Sequence, residues 1–236
     1  MIIDFHTHLG PSLALGISVS SEEILRQMVE AGANKAVVFP FPSTAVSDPS
    51  IVKWVLEEAE RFSGKLIPFY YAPDDLTPPS DPRFKGVKWH WVRGVSDTKS
   101  NYSVLSDPKL DVFAGEVAKL RVPVIFEEEL EFTSRFVDRY PDVILVVPHL
   151  GMLGGPPLAF LERFKRCDNV YFDTSLGSPS LIKRFVEELG AERVLFGSDI
   201  PFGYMRSELG KVREAGLREE EFRLVAGGNA ARLMRL

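Results

Sequence analysis

Ile2-Ile3-Asp4-Phe5-His6-Thr7-His8 decides how the rest of the chain is read. Ile2 to Phe5 has the apolar run of a short buried β-strand, and it delivers two imidazoles, one residue apart, to its far end. Side chains alternate along a strand, so His6 and His8 project the same way. Two imidazoles on one side of a strand end are half of a transition-metal site. The plainer alternative is a pair of hydrogen-bonded histidines in a polar strand end, and the opposite end of the sequence weighs against it. There residues 193–197 form another short apolar strand with Asp199 just beyond it, and a first and a last strand become neighbours when a sheet closes into a barrel.

Between these ends one pattern repeats. Residues 35–39, 66–71, 84–90, 122–126, 143–147 and 170–173 are apolar runs of strand length, and amphipathic stretches separate most of them. Ser20 with Glu23 reads as a capping box that opens a helix closed by Gly32. Asp48-Pro49, Asp107-Pro108 and Ser178-Pro179 each have the order of an N-cap followed by a first-turn proline. Further helices are expected over 130–140 and 154–166. Residues 72–82 hold four prolines, so the connection there is loop or a single turn. Residues 9–19 read as a flap with apolar side chains. The tail is amphipathic over 207–215 and 218–225, and 229–233 reads as a capped helix that seals the barrel.

Eight strands, seven intervening segments and a helical tail predict an α/β fold, a single (β/α)8 TIM barrel with a closed parallel sheet and outer helices, spanning 1–236 as one domain. An open doubly wound sheet would carry a glycine-rich phosphate loop after its first strand, and none follows here. The polar strand ends favour the barrel as well. His6, His8, His90, Glu127, His149 and Asp199 all stand at C-terminal ends of strands, which a barrel gathers into one mouth and an open sheet spreads apart.

Composition narrows the function. The chain has 236 residues, 45% of them hydrophobic and 26% charged, enough for one sizeable core. A net charge of -5 leaves no basic footprint for nucleic acid or an anionic membrane, so the expected partner is a small-molecule substrate. Cys167 is the only cysteine, which excludes an internal disulfide and suits a reducing compartment. With no apolar span of membrane length and no targeting segment read, a cytoplasmic location is expected. A homo-oligomer is neither indicated nor excluded.

Taken together, His-x-His after the first strand, Lys88-x-His90 on the fourth, His149-Leu150-Gly151 after the sixth, Gly197-Ser198-Asp199-Ile200-Pro201 and the closing Asn229-Ala230-Ala231-Arg232-Leu233 resemble the amidohydrolase-related proteins called amidohydrolase family 2. The resemblance runs from His6 to Leu233. It implies a metal-dependent TIM barrel with a divalent ion, usually zinc, held by His6, His8 and Asp199, and members that are hydrolases or non-oxidative decarboxylases. One position departs from the family. Where a ligating histidine usually ends the fifth strand, this chain reads Pro123-Val124-Ile125-Phe126-Glu127. Glu127 is either a ligand, whose oxygen makes the site harder and admits manganese beside zinc, or the start of an acidic run favourable at the next helix N-terminus.

A metal at His6, His8, Asp199 and Glu127 would activate water and polarise a carbonyl. Asp199 is placed to accept the water's proton, and His149 to protonate a leaving group or hold an oxyanion. Lys88 and His90 face the interior as substrate-binding candidates. For Lys88 three partners are open: Glu127, an anionic substrate, or a carbamate bridging two metals. Arg93 and Arg206, beyond strand ends, either recognise a carboxylate or are solvated surface. Trp89 and Trp91 are expected to pack against the helix layer. The first expectation is a metal-dependent hydrolase of a C–N or C–O bond in a small carbonyl compound. The second is a decarboxylase of a small unsaturated or aromatic acid, and the third a metal-free barrel that binds a ligand without turnover.

Overall fold

A computed structural model describes residues 1–95 and 99–236. Eight strand positions follow one another around the molecule: β1 (Ile3–His8), β2 (Lys35–Phe39), β3 in two pieces (Leu66–Pro68 and Tyr70–Tyr71), β4 (Val87–His90), β5 (Pro123–Glu127), β6 (Ile144–Val147), β7 (Val170–Asp173) and β8 (Val194–Leu195). Each pairs in parallel with the next. Phe69 joins the two pieces of β3, its N–H donating to Val38 O while Tyr70 N–H donates to Gly86 O. The ring closes between β8 and β1. Phe5 N–H donates to Phe196 O at 2.9 Å, Asp199 N–H to His6 O at 2.7 Å and His8 N–H to Ile200 O at 3.0 Å. Parallel strands need crossovers, and the expected helices supply them.

Those helices are α1 (Ser21–Ala31), α2 (Ser50–Arg61), α3 (Pro108–Leu120), α4 (Leu130–Arg139), α5 (Pro157–Phe164), α6 (Pro179–Leu189) and α7 (Met205–Glu214). Ser20, Asp107 and Ser178 accept first-turn N–H groups as read from the sequence, and Gly32 closes α1 at φ 73°. No helix lies between β3 and β4, where the prolines stand. Two differences are local. Residues 42–47 form a short helix where a loop was expected, and the flap is a β-hairpin pairing Gly10–Ser12 with Ile17–Val19. Of the polar loop expected at 92–106, positions 96–98 lie outside the described residues.

Ile3, Phe5, Val37, Phe39, Ile67, Phe69, Ile125, Val146 and Leu195 fill the barrel interior. Ala230, Leu233 and Met234, on the closing helix Asn229–Met234, pack against them from below. Asn229 holds that helix in place by donating to Ala191 O and Val194 O at 2.7 and 2.8 Å. Outside the barrel, Trp89, Phe113, Phe126 and Phe136 form one aromatic contact between β4, β5, α3 and α4. Each of these side chains contributes about 1.5–3 kcal/mol by leaving water. Among the described residues no helix is long and apolar enough to cross a membrane.

Candidate active site

His6 and His8 do share a face, by a route that simple alternation does not give. Ile3 and Phe5 already point into the barrel, and the register of β1 against β2 shifts between Asp4 and Thr7. A bulge of this kind changes the parity of a strand, so the even-numbered histidines turn inward after the odd-numbered core residues. Buried Asp4 pins the bulge, its Oδ1 accepting the N–H groups of His6 at 3.1 Å and Ser198 at 2.9 Å.

The two imidazoles meet Asp199. His6 Nε2 lies 3.4 Å and His8 Nε2 3.3 Å from Asp199 Oδ1, a buried atom that has no hydrogen-bond partner among the described residues. Asp199 itself sits at φ 58°, a conformation uncommon for a residue with a side chain and concentrated at functional sites. On its far side His6 Nδ1 meets Asp173 Oδ2 at 2.8 Å, which puts the proton on Nδ1 and leaves Nε2 as a lone pair facing the carboxylate. Two acceptors held face to face repel unless a cation lies between them. Donors 2.0–2.1 Å from a tetrahedral ion stand about 3.3 Å from one another, which is the spacing found here. Each histidine is thus spaced from Asp199 as two donors to one divalent ion would be. Among the described residues the donors that all lie within 4.8 Å of one another are those of His6, His149 and Asp199, with His8 meeting the group through Asp199.

Glu127 ends β5 facing the same space, so its carboxylate does not serve the following helix N-terminus. Lys88 Nζ donates to its Oε2 at 2.6 Å and lies 3.4 Å from His6 Nε2. Of the three partners open to Lys88, Glu127 is the one it meets. The pairing balances the ammonium's charge beside the histidines. His90 Nε2 and His149 Nε2 each stand 3.7 Å from the Glu127 carboxylate.

The charges order themselves accordingly. Burial alone would raise the Glu127 carboxyl, but Lys88, His90 and His149 hold it well below the usual range. Asp199 is lowered in the same way by His6, His8 and His149 against the effect of burial. Burial pulls His90 down to about 3, with Glu127 opposing. Burial would also lower His149, yet the Glu127 contact and the charges of Glu127, Asp199 and Asp173 raise it to about 9.

Above this floor opens a cavity of about 760 Å³. His8, His90, Glu127, His149 and Asp199 line its base, while Leu15, Phe41, Tyr71, Leu153 and Phe202 form apolar walls. His8 stacks on Phe41 at 4.5 Å between ring centroids. His6 and Lys88 lie fully buried beneath the base. All four histidines of the chain are thus gathered at one end of the barrel.

Trp89 packs in the helix layer as expected, but Trp91 does not: it takes φ 41° and lines the cavity. Strand alternation fails there because β4 ends at His90. Arg93 also lines the cavity, with its guanidinium donating to Asp107 at 2.6 Å, while Arg206 is exposed on α7. Two functional candidates escaped the sequence reading, Asp173 and Ser175. The available signal was the position of Asp173, at the C-terminal end of a strand like the others.

A sequence profile of the family described as Amidohydrolase matches residues 3–236. No curated protein matches the sequence. Among solved structures, 5-carboxyvanillate decarboxylase from Sphingomonas paucimobilis is similar at TM-score 0.77 and 15% identity, with 100% of this chain and 99% of that chain covered. A dihydroxybenzoic acid decarboxylase from Polaromonas sp. JS666, with bound manganese and the inhibitor 2-nitroresorcinol, gives 0.75 and 15%, covering 100% and 97%. An amidohydrolase from Burkholderia multivorans with bound zinc gives 0.74 and 17%, covering 100% and 99%. At these identities the structures show a common fold, the TIM barrel read from the strand count. On the match over residues 3–236, the chain belongs to the amidohydrolase family.

Proposed function

We propose that the chain is a metal-dependent, non-oxidative decarboxylase of a small aromatic or unsaturated carboxylic acid, with zinc or manganese held by His6, His8 and Asp199. The observation that carries this reading is the placement of His149. Its Nε2 stands 4.0 Å from Asp199 Oδ2, beside the donor set and under an apolar-walled cavity. A carboxylate drawn to the donors brings its α-carbon within reach of that nitrogen. When bound, the ion supplies a Lewis acid that orients the substrate's oxygens and stabilises developing negative charge.

His149 Nε2 then delivers a proton to the carbon bearing the carboxylate. The C–C bond breaks, its electron pair stays with that carbon, and carbon dioxide leaves; one proton is consumed for each substrate. Phe41, Tyr71 and Phe202 hold a flat apolar body and keep water from the reacting carbon. Lys88 keeps Glu127 ionised beside His149 rather than serving as a free amine, and His90 contacts substrate from the cavity base. The fold neighbours that act as decarboxylases, one holding manganese, favour this reading over the hydrolase expected first.

Hydrolysis of a C–N or C–O bond is the second reading. Asp199 Oδ1, buried and without a hydrogen-bond partner among the described residues, favours it as an acceptor for a water's proton. Zinc- or manganese-loaded protein incubated in D2O with carboxyl-13C hydroxybenzoates separates the two. Labelled carbon dioxide and one deuterium at the vacated carbon are expected, with the rate falling about 10²–10⁴-fold in His149→Gln. Cleavage of amides or lactones with no carbon dioxide from any acid would overturn the proposal in favour of hydrolysis.

A further inference from the structure

Asp173 and Ser175 lie under the cavity floor, both fully buried, and the reaction above uses neither. The Asp173 carboxylate is an acceptor on every side. Oδ2 meets His6 Nδ1 at 2.8 Å, and Oδ1 accepts the backbone N–H of His149 at 3.1 Å and of Ser175 at 3.0 Å, together with the Ser175 hydroxyl. Ser175 Oγ also lies 2.8 Å from His149 Nδ1. A serine hydroxyl has one proton to give, and an ionised carboxylate has none. Both Asp173 oxygens are engaged as acceptors, Oδ1 by two backbone N–H groups and Oδ2 by His6 Nδ1, which leaves neither placed to carry a proton. The hydroxyl proton therefore goes to Asp173, and the contact between Ser175 and His149 is made by a proton on Nδ1 of the ring.

We infer that Asp173 and Ser175 are positioning residues that fix the protons of two facing histidines, His6 directly and His149 through the serine hydroxyl, so that Nε2 becomes the working atom of both rings. The rings lie 5.0 Å apart between centroids, and one carboxylate sets both. At His6 the bare Nε2 serves as a metal donor. At His149 the Nε2 edge alone exchanges protons with the cavity. Such outer partners orient metal-binding histidines and raise their basicity. The use made of the two Nε2 atoms rests on the proposed metal-dependent decarboxylase, whereas the proton placement follows from the hydrogen bonds alone.

Four histidines make four ring spin systems, so 15N-histidine NMR of the full chain, assigned with single His→Gln variants, reads the placement without any substrate. Spectra are recorded metal-free and zinc-loaded, with the metal-free series carried to the pH at which the His149 ring has lost its second proton. In the wild type the proton left on His149 is expected on Nδ1, and His6 is expected to be Nδ1-protonated as well. Ser175→Ala moves the His149 proton to Nε2 or to a mixture and leaves His6 alone, while Ser175→Thr restores the wild-type pattern. Asp173→Asn disturbs both rings and weakens zinc binding about 10–100-fold in chelator competition, whereas Ser175→Ala keeps wild-type affinity. A His149 proton on Nε2 in the wild type, or one that stays on Nδ1 in folded Ser175→Ala, would sink the inference. If Asp173→Asn does not fold, the two serine variants still decide. Failure of the decarboxylase reading leaves these spectra unchanged.

Discussion

Lys88 and Glu127 show how a single substitution of residue type is absorbed. A buried ammonium or carboxylate alone costs several kcal/mol, and their attraction at 2.6 Å offsets part of that cost. Glu127 can therefore stand where the family resemblance leads one to expect a histidine, while His6, His8 and Asp199 keep their own geometry. The positions His6, His8, His90, Glu127, His149 and Asp199 were legible because polar residues at the ends of apolar runs are conspicuous. Asp173 was not, since an aspartate ending a strand next to Thr174 and Ser175 reads equally well as the start of a turn. The next residue after Glu127 behaves differently again. Glu128 is buried outside the barrel, where Oε1 accepts from Trp89 Nε1 at 2.9 Å and Val92 N at 3.1 Å, and burial pushes its carboxyl up to about 7 against those bonds. Below its ordinary value of 4.5 both folded and unfolded chains keep the proton; as pH rises further the unfolded chain releases it first, and the folded state loses stability until about pH 7. Glu128→Gln keeps the acceptor and removes that loss. Thermal melts should match the wild type in acid and exceed it above neutrality, by on the order of 3 kcal/mol at most.

Two elements aim the histidines, and neither was visible in the periodicity. One is the bulge in β1, where alternation suggested the right face for the wrong reason: Asp4, not an unbroken strand, turns His6 and His8 inward. The other is the turn after β6, in which His149, Leu150 and Gly151 all take left-handed conformations at φ 54°, 53° and 88°. Sequence patterns encode strand and helix faces, but a run of positive φ is set by tertiary contacts. This turn brings the His149 amide to Asp173. Gly151 is required there twice over, since a Cβ would also meet the Phe160 ring at 2.5 Å. Gly151→Ala is expected to cost about 1–3 kcal/mol from the backbone alone, with more from displaced Phe160. Denaturant unfolding gives the stability change, and the His149 resonances should shift with it. A variant as stable as the wild type would mean that the turn is not held as described.

Barrels separate chemistry from stability by end, and this molecule follows that division. Its mouth holds the histidines, and the closing helix Asn229–Met234, read from the sequence as a capped helix sealing the base or the side, packs at the base without a side-chain cap. Leu233→Ala should lower stability by about 2–4 kcal/mol while zinc content and the histidine spectra stay as in the wild type. Loss of metal in that variant would show that the two ends are coupled. The strand count and the order of segments were legible because buried parallel strands read as apolar runs. Closure had to be inferred from polar residues at the two extremes of the chain, and the hydrogen bonds from Phe5 to Phe196 and from Asp199 to His6 complete it. The same seam has a bearing on biosynthesis. His6 and His8 leave the ribosome well before Asp199, with seven of the eight barrel strands made in between. A nascent or truncated chain that stops before the last strand holds the histidines without the carboxylate they face, and so would grip an ion there more weakly. On the proposed ligand set, firm loading of the ion would therefore wait until translation has passed Asp199.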